Sequence, residues 1–176
     1  MKITKNIPII FIICLHFTFS SSQRLFDFCV ADYKQPNPAG YPCKDPSTVT
    51  AEDFFGHGVL NAPAPSTFHK IFNAGISPAF VRQVPSLNGE GVSMARVDYQ
   101  PGGLAPFHTH PGCTEIITVL KGILTVGFIS TNNTVYMKSI SEGDLFAIPQ
   151  GLFHFQINSG NRWVLIILSL KLNIYI

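Results

Sequence analysis

The chain has 176 residues, of which 46% are hydrophobic and 12% charged. That length suits one domain, and so much apolar side chain with so little charge excludes a disordered chain. The formal net charge is only +2, which argues against nucleic acid or an anionic membrane surface as partner.

Lys2 and Lys5 precede an apolar run over 7–15, and Ser20, Ser21 and Ser22 follow it. A basic start, a short apolar run and a small-residue exit predict a secretory leader over 1–22. The run is too short for a comfortable membrane span, so no membrane association is expected once the leader is cleaved. Cleavage near Ser22 removes two of the 12 Lys and Arg, leaving 10 against 10 Asp and Glu, a formally neutral chain.

Residues 23–60 read as an irregular arm. Cys29 and Cys43 flank a stretch with Pro36, Pro38 and Gly40, and in an oxidising compartment this pair predicts a local disulfide. Thr50, Glu52 and Asp53 mark the acid-rich start of a short helical turn. Residues 61–91 are punctuated by Pro and Gly. From 92 onward strands follow one another: 92–99, two consecutive strands over 114–129 broken at Lys121-Gly122, then 135–140, 145–148 and 153–157. Turn residues separate them, among them Pro101-Gly102-Gly103, Thr131 to Thr134, Glu142-Gly143 and Pro149-Gln150-Gly151. Closely and regularly spaced strands predict a single all-β barrel over 61–160. An apolar tail occupies 161–176. Its residues 164–168 are suited to one more strand, and the remainder is expected to be an exposed apolar edge. Asn132-Asn133-Thr134 is a glycosylation sequon in a predicted exposed turn, with Asn132 as acceptor.

The chemistry concentrates in two segments. His108-Thr109-His110 follows a Gly-rich turn, and on a strand residues two apart share a face. Glu115 sits at an odd offset from His110 and joins that face only through a kink at Pro111-Gly112. His154 arrives from a later segment. Three imidazoles and one carboxylate suit Mn²⁺, Fe²⁺, Ni²⁺ or Zn²⁺ better than Cu(I) or Ca²⁺. They leave coordination positions open for redox or Lewis-acid work. Cys113 lies within this region and reads as a small buried thiol in preference to a soft ligand. His57 and His69 read as surface or turn residues, and His16 falls in the leader. Leu104, Phe107, Phe146, Phe153 and Phe155 read as barrel core, with an apolar ligand pocket as the alternative.

Gly102, His108, His110, Glu115 and Gly122 resemble the first conserved box of the germin and germin-like proteins, a plant branch of the cupin superfamily. Gly143, Pro149, Gly151, His154 and Asn158 resemble the second box, and the segments around Cys29 and Cys43 resemble the family's N-terminal disulfide region. The resemblance implies a cupin β-jelly-roll, Mn²⁺ held by His108, His110, Glu115 and His154, and a Cys29–Cys43 disulfide. It also implies secretion to the apoplast or cell wall, a role in plant defence, and homo-oligomers built as trimers stacked into hexamers. Small-molecule or superoxide chemistry of the superoxide dismutase type is expected, with a non-catalytic binding, receptor-like or wall-associated role and a structural metal as the alternative. Oxalate-oxidising germins carry Asn where this chain has Ala95 and Ala105, so oxalate oxidation is not expected. Family members also carry a C-terminal helical extension that clasps neighbouring subunits, whereas this chain diverges near Gly160 and that extension is missing.

Overall fold

A computed structural model describes residues 27–35, 40–63 and 69–172. The expected secretory leader lies outside these residues. Among them, no helix is long and apolar enough to cross a membrane.

Nine strands carry the fold: β1 (Ala74–Ala79), β2 (Val92–Tyr99), β3 (Leu104–His108), β4 (Cys113–Lys121), β5 (Ile123–Ile129), β6 (Val135–Ser141), β7 (Leu145–Ile148), β8 (Phe153–Ile157) and β9 (Val164–Leu172). They form a five-stranded sheet, β1-β2-β9-β4-β7, and a four-stranded sheet, β3-β8-β5-β6. Every paired ladder is antiparallel. This is the cupin-type jelly roll, in which two sheets share one interior.

Alternation along each strand decides what enters that interior. Val97 and Tyr99 of β2, Ile117 and Val119 of β4, Leu124 and Val126 of β5, and Val164 and Ile166 of β9 are buried in one cluster, joined by Ile140 and Ile148. Each is two residues from its partner, so one face of each strand is hydrocarbon and the other is left to solvent or the second layer. Gly122 turns β4 into β5 at φ 89°. A Cβ there would stand 2.8 Å from the Trp163 carbonyl oxygen, so glycine is required on both counts.

Residues 169–172 of the apolar tail, expected as an exposed edge, are instead part of a paired strand, and 173–176 lie outside the described residues. β9 runs on to Leu172, pairing Val92 with Lys171 on one side and Cys113 with Leu172 on the other. It is the central strand of its sheet, and its backbone groups are satisfied from both sides. The 61–160 boundary therefore omits a strand that the barrel contains.

The arm is pinned as expected. Cys29 and Cys43 are disulfide-bonded, and Ala31 and Cys43 form an isolated antiparallel bridge. Ala31 N–H donates to the Pro85 carbonyl at 3.0 Å, tying the arm to the loop before β2. The helical turn is a 3₁₀ turn over Ala51–Phe54. Asp53 closes its start by accepting from Thr50 N–H at 2.9 Å, and it also pairs with Lys44.

Candidate metal centre

His108 ends β3 and stands directly opposite His154 of β8 in the ladder, so their ring centroids lie 4.1 Å apart. The ladder is irregular between Ala105 and His108. His110 lies beyond the strand, in a turn that Cys113 N–H closes on the His110 carbonyl at 3.0 Å. Strand alternation thus accounts for His108 but not for His110, which the turn positions. Gly112, at φ 83°, supplies the reversal that brings β4 back with Glu115 facing inward. From there alternation resumes: Glu115, Ile117 and Val119 share the buried face of β4, as His154 and Gln156 share that of β8.

One ligand atom from each of His108, His110, Glu115 and His154 lies within 4.8 Å of the other three. Glu115 Oε2 sits 3.1 Å from His110 Nε2 and 3.2 Å from His154 Nε2. Glu115 and His154 are buried, and His108 and His110 are half-buried. The other ring nitrogens are fixed by backbone. His108 Nδ1 meets the Pro106 carbonyl at 2.7 Å, and His154 Nδ1 meets that of Leu152 at 2.8 Å. A carbonyl only accepts, so both Nδ1 atoms carry the proton, and each Nε2 is the nitrogen available to a cation.

Two residues not singled out from sequence complete the surroundings. Gln156 Nε2 donates to Glu115 Oε1 at 3.3 Å, leaving Oε2 for the imidazoles. The buried Tyr99 hydroxyl lies 3.5 Å from Gln156 Oε1. The signal for Gln156 was its position two residues after His154 on the same strand face. Nothing local to Tyr99 announced its role. Cys113 is half-buried and not part of the cluster. His57 is exposed and apart from the site.

A family model described as cupin matches residues 60–175. An auxin-binding protein of Prunus persica is 47% identical over 153 residues, covering 84% of this chain and 72% of its own length. A germin-like protein of Morus alba is 46% identical over 157 residues, covering 89% of this chain and 73% of its own length. The chain belongs to the germin-like proteins of the cupin family. An oxalate oxidase structure overlays it with a TM-score of 0.78 at 35% identity, covering 85% of this chain and 76% of that one. Peruvianin-I, a cysteine peptidase from Thevetia peruviana latex, overlays it with a TM-score of 0.78 at 34% identity, covering 85% and 91% respectively.

In this germin-like protein the ligand cluster shapes its own electrostatics. Burial pushes the Glu115 carboxyl up, but hydrogen bonds from His110 and His154, and the charge those rings can carry, outweigh it and hold the group at about 2. Burial pulls His154 down, yet its bond to Glu115 and its Leu152 contact win, and it is raised. His108 is lowered, chiefly by burial. Burial and then the Glu115 charge raise the Tyr99 phenol, which stays neutral. An anionic carboxylate facing imidazoles whose Nε2 atoms converge, each able to exchange its proton for a metal, is the donor chemistry of a borderline divalent cation, and these residues fit one.

The site opens into a cavity of about 390 Å³ that reaches His108, His110 and Gln156. Ala95 and Ala105 line it, as does His69, which is exposed, in keeping with its reading as a surface or turn residue. The apolar residues read as core divide. Phe146 packs against the core cluster and Leu104 lines the cavity. Phe107 and Phe153, expected in the core, are each 58% exposed on the outer surface, because they occupy the strand positions that alternate with the buried ones.

Proposed function

We propose that this is a secreted germin-like metalloprotein whose ion, Mn²⁺, is held by His108, His110, Glu115 and His154, and that it acts as an extracellular oxidoreductase of the superoxide dismutase type. The observation that carries the reading is the convergence of three imidazoles and one carboxylate, from β3, the following turn, β4 and β8, within 4.8 Å. The ligand set admits several divalent ions, and the germin resemblance favours manganese. Bound there, such an ion would supply one-electron chemistry at its open positions. The protein's part is to keep Glu115 ionised, to hold the tautomers of His108 and His154 through Pro106 and Leu152, and to leave a half-open approach from the cavity.

Oxalate oxidation is disfavoured. Ala95 and Ala105 face the cavity beside the imidazoles, and neither methyl group offers a donor to a dianion leaving water. The Cys29–Cys43 disulfide supports an oxidising compartment and hence secretion. The exposed turn around Asn132 supports that residue as a glycan acceptor, and assembly into trimers or hexamers is proposed from the family alone. The test is elemental analysis of purified protein followed by a superoxide dismutation assay. Manganese near one per chain with activity above that of free Mn²⁺ is expected, and metal-loaded protein no better than the free ion removes the enzymatic reading.

A second reading, a ligand-binding role with the metal as anchor, is favoured by the apolar character of the cavity and by the auxin-binding name of one relative.

A further inference from the structure

The outer face of the four-stranded sheet carries two exposed aromatic rings, Phe107 of β3 and Phe153 of β8. Phe107 is held against Phe155 with ring centroids 5.0 Å apart. Phe153 stands opposite Ile129 in the β5–β8 ladder, and Ile129 ends β5, so the turn over 130–134 begins beside Phe153. The strands and the turn enclose a hollow of about 470 Å³ whose lining includes Phe107, Ile129, Thr131, Asn133, Leu152 and Phe153.

The turn has a defined geometry. Asn133 takes the left-handed conformation at φ 64°, which asparagine tolerates, and its N–H donates to the Ser130 carbonyl at 2.9 Å. Asn132 Oδ1 accepts from the Thr134 N–H at 3.3 Å and from the Ser130 hydroxyl. A backbone N–H only donates, so the Asn132 amide keeps its oxygen toward the turn and Nδ2 on the other side. Asn132 is exposed, and its neighbours Thr131 and Asn133 both line the hollow. Asn132-Asn133-Thr134 is the one Asn-X-Ser/Thr triplet in the sequence.

We propose that this hollow seats the first sugar of a glycan on Asn132, whose apolar face lies against Phe107 and Phe153. This rests on the reading of Asn132 as a glycan acceptor. Transfer forms a bond from Nδ2 to the anomeric carbon of a diphosphate-activated sugar. The diphosphate leaves with the bonding pair, and the amide gives up one proton. A pyranose ring has a face of C–H groups and a rim of hydroxyls. The C–H face meets the electron-rich faces of the rings and takes exposed hydrocarbon out of water. The hydroxyls stay toward solvent and the polar groups of Thr131 and Asn133. A sugar tethered at Asn132 stands at an effective concentration that a free ligand does not reach, and attachment therefore selects it as the occupant. Two neighbouring exposed rings invite association, and the sugar covers them.

The experiment uses the full chain secreted from a eukaryotic host, with occupancy of Asn132 read by mass spectrometry. An endoglycosidase trims the glycan to a single N-acetylglucosamine. Thr134→Ala supplies the sugar-free chain, because Thr134 serves the turn through its backbone N–H and carbonyl. Trimmed and untrimmed protein should melt alike, and the sugar-free chain roughly 3 °C lower. The same substitution in protein from a bacterial host that attaches no such sugar should shift Tm by less than about 1 °C. Phe153→Ala should erase most of the difference between trimmed and sugar-free chains, as a double-mutant cycle requires of groups in contact. In nuclear magnetic resonance spectra of trimmed protein with isotope-labelled sugar, the ring protons of that sugar should move upfield and show Overhauser contacts to the Phe side chains. An unoccupied Asn132 would refute the glycan reading, and the packing with it. An occupied Asn132 whose sugar protons are not ring-shifted, whose removal leaves Tm unchanged, or beside which a second copy covers both rings would overturn the packing while leaving glycosylation intact. The spectra need no variant, so a Phe153→Ala protein that fails to fold does not spare the proposal.

Discussion

Gln156 and Glu115 are joined by a single hydrogen bond, from Nε2 to Oε1 at 3.3 Å, which divides the carboxylate into one oxygen held by the protein and one turned toward the imidazoles. The two residues come from β8 and β4, in different sheets. The bond therefore crosses the interior of the barrel and fixes the one carboxylate of the candidate metal cluster against rotation.

Gln156→Leu removes that donor at nearly constant volume. Loss of a residue that orients a metal ligand typically costs about 10–100-fold in affinity. Manganese titration followed by paramagnetic resonance should show a loss of that order, with a circular dichroism spectrum like that of the parent. Unchanged affinity would mean that Glu115 is oriented without Gln156.

Metal should stabilise the fold, because the cluster joins both sheets. At a free ion concentration of 100 times Kd the gain is about 2.7 kcal/mol, which for a chain of this size raises Tm by roughly 5–10 °C. Replacing His108, His154 or Glu115 by Ala, Ala or Gln should abolish most of that rise in a thermal scan with added Mn²⁺. A variant that keeps the full rise is not losing a ligand.

The acid limb of the metal-free protein should carry the signature of Glu115. Its carboxyl is held at about 2, below the ordinary 4.5. A lowered carboxyl stabilises the fold fully above the ordinary value, and that contribution is lost as pH falls from 4.5 toward 2. Glu115→Gln should flatten this limb in denaturant titrations. Near neutrality two histidines oppose each other. His154, raised, stabilises below 6.5 and loses its contribution as pH rises through its folded value. His108, lowered, stabilises above 6.5 and loses its contribution as pH falls through its folded value. Because metal binding requires neutral imidazoles, the Tm rise produced by Mn²⁺ should grow from about pH 5 to about pH 8. A rise independent of pH would argue against histidine ligation.

Asn158 is fully buried, and its amide N–H groups are shared among the carbonyls of Tyr99, Gln100 and Arg162 at 3.3, 2.9 and 2.7 Å. Asn158→Ala strands those acceptors away from water, at a cost of about 2–4 kcal/mol. Urea denaturation measures it. A loss below about 1 kcal/mol would show that water or a local shift replaces the side chain.

The Cys29–Cys43 bond closes a 14-residue separation, for which chain entropy gives about 3 kcal/mol. Cys29→Ser with Cys43→Ser should lower stability by up to that amount and make the arm sensitive to protease before the barrel. Equal sensitivity of arm and barrel would mean that the arm does not depend on its cross-link.

The sequence by itself determined most of the strands from 92 onward, because side chains alternate with period two and glycines sit where the chain must reverse; β1 (Ala74–Ala79) lies in the Pro- and Gly-punctuated stretch and was not read as a strand. Runs 92–99, 145–148 and 153–157 are read with the bounds they have in the fold. It also determined the four convergent residues, since their types and spacings follow the germin boxes. Other features were settled only in three dimensions. Residues 164–172 form an interior strand because two partners far away in sequence, β2 and β4, both offer hydrogen bonds to it, and pairing is non-local. Phe107 and Phe153 lie outside because the registers of β3 and β8 give the inward positions to other residues. The place of His110 came from a turn, and the polar link from Tyr99 through Gln156 to Glu115 came from the facing of two sheets. Alternation is written residue by residue along a strand. Which strand faces which is a property of the closed barrel, and that facing decides what surrounds the candidate metal-binding residues.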